Sequence, residues 1–77
     1  MSDNIDNFTR KIKLDLNIDF DLKNDENFLK NIKWDSLLNM GLLAHLDREY
    51  NLIIDFDDLQ KYNSLIKLFE LVEKNNN

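Results

Sequence analysis

The sequence predicts an all-α fold: a four-helix bundle of three longer helices and one short helix, with a long loop after the first. Three observations carry that expectation. The chain has no proline and one glycine, Gly41, so composition points to helices rather than to a turn-rich β fold. Apolar residues recur at three- and four-residue steps along several segments, as a helix burying one face requires. At 77 residues without cysteine, the chain has room for one domain, residues 1–77, whose small core gains nothing from disulfides or thiolate-bound metal.

Taken in order, Ile5, Phe8 and Ile12 lie at i, i+3 and i+7 behind a polar start and predict a helix over about 4–14. From Ile12 to Leu22 the pattern changes, and Ile12, Leu14, Leu16, Ile18, Phe20 and Leu22 alternate with polar residues. Alone, that is a strand signal. No other segment offers a partner, and a lone strand is not stable, so residues 15–34 are expected to form an extended loop pinned by its apolar side chains. Asp35 is a good N-cap and Ser36 takes the first helical position of a helix over 36–50. Leu42, Leu46 and Tyr50 form an i, i+4, i+8 ladder there, which Leu43 and Met40 widen into a core-facing stripe. The opposite stripe carries Leu37, Gly41, His45 and Arg48. Leu52-Ile53-Ile54 is too short for a helix, and Asp57 and Asp58 then open a short one over 57–62, their charge suiting a helix N-terminus. Asn63 or Ser64 caps a last helix over 64–74, with Leu65, Leu68, Phe69 and Val72 at helical spacing; residues 75–77 should fray.

Charge and hydropathy exclude several function classes. Fifteen acidic residues against ten basic ones leave a net charge of −5, which disfavours binding to nucleic acid or anionic lipid. A hydrophobic fraction of 43% suits a globular domain. No apolar run approaches the roughly 20 residues that span a bilayer, so no membrane association is expected. The polar start MSDNIDNFTRK lacks the apolar stretch of a signal peptide, and the expected location is cytoplasmic, as a monomer.

Reactive chemistry is sparse. A serine nucleophile needs a base within hydrogen-bond reach, and the one histidine, His45, lies nine residues beyond Ser36. An isolated helical histidine of this kind is expected at the surface. Zinc needs several Cys or His ligands. The run Asp55-Phe56-Asp57-Asp58 lacks the glycine turn and spaced ligands of a calcium loop and reads as solvated charge at a helix start. The expectation is no catalytic residue and no metal site.

The residues from Phe28 to Leu65 resemble acyl carrier proteins without a gap. The family's attachment motif Asp-Ser-Leu stands here as Asp35-Ser36-Leu37, and a phenylalanine eight residues before the serine, common in the family, stands as Phe28. The run from Leu42 to Tyr50 is similar to the helix that the family writes as a leucine-rich run ending in "ALEEEF". Ile54 and Asp57-Asp58-Leu59 fit its third helix, and Asn63-Ser64-Leu65 the "Thr-Thr-Val" opening of its fourth. A bare Asp-Ser-Leu says nothing; its position one residue into a helix, at the right distance from three further elements, gives it weight.

The resemblance implies a bundle of the acyl-carrier type in which a phosphopantetheinyl transferase attaches 4′-phosphopantetheine from coenzyme A to Ser36. The arm would carry acyl or aminoacyl groups as thioesters, exchanged with the enzymes that activate and transfer them. Asp35 would lie beside the transferase's metal. Leu46, Ile54, Leu59, Tyr62 and Leu68 would line an acyl cavity gated by Met40, with packed-core duty as the plainer role. Departures from the family suggest a specialised pathway rather than bulk fatty-acid synthesis. Lys33-Trp34 replaces the usual glycine before the motif. On the partner-facing stripe of Leu37, Gly41, His45 and Arg48, with Asp47 beside it, Gly41 removes a charge that fatty-acid carriers place there and Arg48 reverses another. Such rim charges set partner choice. The rival expectation from another class is an interaction module that keeps the carrier fold and is never modified.

Overall fold

Every α-helix among the described residues begins on a side chain that takes up one of its own unpaired N–H groups, as helix starts require. Asn4 accepts the N–H of Asn7 at 2.9 Å, and Asp35 that of Leu38 at 3.0 Å. Asp55 accepts that of Asp58 at 3.0 Å, and the Asp58 carboxylate returns the favour to the Asp55 N–H at 3.1 Å, a reciprocal capping box. Ser64 accepts the N–H of Lys67 at 3.2 Å, so it is Ser64, not Asn63, that caps the last helix.

The computed structural model describes residues 4–75. Among these the fold is all-helical: α1 (Ile5–Asp15), a single 3-10 turn (Phe28–Lys30), α2 (Ser36–Tyr50), α3 (Phe56–Lys61) and α4 (Leu65–Asn75). The bounds of α2 are those read from the sequence, and the other three helices sit one residue from theirs. Asn75, expected in a frayed tail, closes α4; residues 76 and 77 lie outside the described residues. None of the helices described is long and apolar enough to cross a membrane.

Two helices end on asparagines in the left-handed region, Asn17 at φ 54° and Asn51 at φ 57°, a conformation that Asn tolerates better than other non-glycine residues. At Asn17 the chain closes a Schellman motif: the Ile18 N–H reaches the Lys13 carbonyl at 2.9 Å and the Asn17 N–H reaches Leu14 at 3.4 Å. This reversal stops α1 at Asp15 and turns the chain back toward it, so that Asn24 meets Thr9. The alternation therefore has no strand behind it. Leu22 is buried, Leu16, Ile18 and Phe20 are half-buried, and Leu14 is exposed on α1.

α1 packs against both α2 and α4. Phe8 is the junction: fully buried, its ring centroid lies 5.5 Å from that of Tyr50 on α2 and 5.3 Å from that of Phe69 on α4. Ile12, Leu42, Leu46, Leu59, Leu65, Leu68 and Val72 complete the helical core. The long loop is tied into it at three places. Asn24 accepts the Thr9 hydroxyl of α1 at 2.6 Å through its side chain and the Ile66 N–H of α4 at 3.0 Å through its carbonyl. The Phe28 N–H reaches the Asn63 carbonyl at 3.0 Å, and Leu22, Phe28 and Trp34 are buried.

Candidate functional site

The start of α2 is built from its approach segment. Trp34, buried, lies on the fully buried Phe28 with ring centroids 4.7 Å apart. Its indole N–H donates to the Asn39 side-chain oxygen at 2.7 Å and its backbone N–H to the Asn31 carbonyl at 3.0 Å. Asn31 is held in turn by Glu26, whose carboxylate accepts from the Asn31 amide at 2.7 Å and from the Lys23 N–H at 3.1 Å. These two donors, the Lys23 N–H foremost, hold the Glu26 carboxyl below the usual carboxylate range. The chain thus enters α2 clamped on both sides of Asp35 and Ser36. Ser36 is exposed at the first helical position, and Leu37 beside it is 74% exposed. At this end the helix dipole and the first-turn N–H groups favour a negative charge. Chemically, the arrangement offers an accessible hydroxyl at an anion-favouring helix end.

The middle of α2 departs from the sequence reading. His45, expected at the surface and facing partners, is 2% exposed. Its Nδ1 lies 2.7 Å from the Asp15 carboxylate at the end of α1. An ionised carboxylate only accepts, so this nitrogen carries the proton. The His45 ring also meets Tyr50 edge-on at 5.8 Å. His45 Nε2 is buried with no hydrogen-bond partner among the described residues, an arrangement that costs about 1–3 kcal/mol. Arg48 binds the same Asp15 carboxylate and also Glu49. The hydrogen bond from His45, reinforced by the Arg48 charge, holds the Asp15 carboxyl below its usual range against the opposing effect of burial. Arg48 is pushed up, by Glu49 first and then by Asp15. Gly41 is half-buried, and a β-carbon there would stand 3.3 Å from Cγ of Leu16.

Of the five residues expected to face partners, Leu37, Asp47 and Arg48 are exposed, whereas Gly41 and His45 are covered by the end of α1. The reason is that Asp15 and Leu16, at the end of α1, lie on this face, a long-range contact that the periodicity of α2 does not encode. Met40 is a second correction: expected on the core-facing stripe and as a gate, it is 67% exposed. Leu46, Leu59 and Leu68 are fully buried in the core, and Ile54 and Tyr62 are half-buried against it. The Asp15–His45–Arg48 cluster and the Trp34–Asn39 bond were not read from the sequence. The Asn17 cap, a residue type suited to ending a helix, is the local signal that α1 stops beside Asp15 and Leu16.

Compared with known protein families, curated proteins and solved structures, the chain shows no match.

Proposed function

We propose that this protein is a carrier: Ser36 takes a 4′-phosphopantetheine arm, and the arm holds acyl or aminoacyl groups as thioesters for the enzymes of a specialised biosynthetic pathway. The observation that carries the reading is the exposed Ser36 hydroxyl at the first position of a 15-residue helix, behind a clamped Trp34 and an Asp35 cap. In the attachment step the Ser36 oxygen forms a bond to the phosphorus of coenzyme A that bears the pantetheine. The pyrophosphate linkage breaks, adenosine 3′,5′-bisphosphate leaves, and the serine proton passes to a base on the transferase. The product is a phosphodiester anion, the charge that a helix N-terminus stabilises.

Ser36 needs no activation from its own chain in this scheme. His45 lies about 13 Å farther along the helix by its rise per residue, and its protonated nitrogen is committed to Asp15. Asp35 keeps a carboxylate beside the hydroxyl while capping Leu38, open to a metal brought by the transferase. The arm supplies a terminal thiol on which acyl groups are held as thioesters.

The test is intact mass after incubation with coenzyme A, magnesium and a broad-specificity phosphopantetheinyl transferase. The parent should gain the mass of one phosphopantetheine and Ser36→Ala none. A parent of unchanged mass would leave the unmodified interaction module as the better reading.

A further inference from the structure

The face that was expected to meet partners holds, between α1 and α2, a groove of about 250 Å³. Its apolar wall is Leu16 from the end of α1 together with Leu37, Leu38 and Ala44 from α2, with Gly41 on its floor where Leu16 packs close. At the far end stands the Asp15–Arg48 ion pair. Leu37 follows Ser36 directly, and from Leu37 to Arg48 the helix rises about 16 Å.

We propose that the arm attached to Ser36 rests in this groove, so that the carrier shelters a short cargo on its α1–α2 face instead of threading a long acyl chain into its core. This rests on Ser36 being the attachment point. Three observations favour the groove. It is already open, whereas Leu46, Leu59 and Leu68 are fully buried in the core and a chain entering among them must displace close-packed side chains. It begins at the residue next to the tether, so an arm fixed at Ser36 meets it at high effective concentration. Leu37, 74% exposed beside a charged helix start, gains cover when the arm lies against it.

Size and end chemistry narrow the cargo. The groove falls below the roughly 300 Å³ at which pockets begin to enclose drug-sized ligands, so the arm lies along it with one side open to solvent and no enclosed room remains for a long chain. Its far end offers a guanidinium donor and a carboxylate acceptor side by side, which suits the amide, hydroxyl or amino groups of a polar cargo better than a hydrocarbon tail. The Asp15–His45 bond and the contact of Leu16 on Gly41 hold α1 at the distance that keeps the groove open.

The experiment begins with the mass measurement, so that failure of attachment is seen separately from failure of the groove. On the modified protein, amide shifts are compared with those of the unmodified protein. The expected changes run beyond residues 35–38 to Leu16, Gly41, Ala44 and Arg48. Changes confined to the first turn of α2, or centred on Ile54, Leu59 and Leu68, overturn the proposal. Alkylation of the arm's thiol gives a second readout. Ala44→Phe should fill the groove and raise the alkylation rate at least threefold over the parent, with helicity by circular dichroism unchanged; an unchanged rate in the folded variant counts against the groove. Third, acetyl and octanoyl forms should melt at the same temperature. A melting point that climbs with chain length would signal burial in the core and overturn the assignment.

Discussion

Leu37 and Leu42 stand five residues apart on α2, yet Leu37 is 74% exposed and Leu42 is fully buried. The contrast extends to their neighbourhoods. Around Leu37 the helix offers Ser36 and a capped, anion-favouring start. From Gly41 to Arg48 the same helix is gripped along one side by Leu16 and Asp15 and buries Leu42 and Leu46 on the other. One helix therefore combines an exposed, capped end with a middle locked by packing. The lesson is that an exposed helix end is held by contacts one and two turns away from it as well as by its own cap.

The largest way to break the comparison is Leu42→Ala, which leaves a cavity in the locked half and should cost about 2–5 kcal/mol, read as a fall in the urea midpoint. The next concerns Asp15. Its folded-state pKa is lowered by His45 and Arg48, so its contribution is present above the unfolded carboxylate range near 3.8 and is lost as pH falls through the folded value. In Asp15→Asn, the side-chain oxygen still accepts from His45 but the charge is gone. Because Asp15 is partly exposed, the cost at pH 7 should be about 1 kcal/mol. The difference from the parent should shrink in urea titrations as pH is taken from neutral to well below 3.8. A constant difference down to that pH would mean the charge contributes nothing.

Gly41→Ala sharpens the comparison further. Alanine favours the helix by about 1 kcal/mol over glycine, but its β-carbon meets Leu16 at 3.3 Å. The net gain should therefore fall short of that figure, and the full gain should return when the exchange is made in a Leu16→Ala background, a non-additive cycle. The smallest effect belongs to Leu37→Ala, whose change in stability should stay within about 0.5 kcal/mol and set the scale against which Leu42→Ala is read.

Much of this was legible in the residues. Asp35 and Ser64 are capping types at helix starts, and Ile5, Phe8 and Ile12 or Leu65, Leu68 and Val72 repeat at helical spacing. Both signals act within a few residues and survive any tertiary context. The reading failed where two segments distant in the chain meet. The alternation from Ile12 to Leu22 looks like a strand, but Asn17 reverses the chain, Leu16 lies against Gly41 of α2 and Leu22 reaches into the core. His45 and Met40 exchanged fates, one buried beneath Asp15 where exposure was expected and the other exposed where burial was expected.

Local chemistry along the chain settles where helices begin and end, that the fold is all-helical, and that Ser36 stands at a capped helix start. Those outcomes depend on neighbours one to four residues away, which the sequence lists in order. Packing settles the rest: that Asp15 holds His45 and Arg48, that Leu16 claims the space beside Gly41, and that a groove opens next to Ser36. These depend on residues 25 to 33 positions apart being brought together, and a helical repeat shows that a face exists without showing what will cover it.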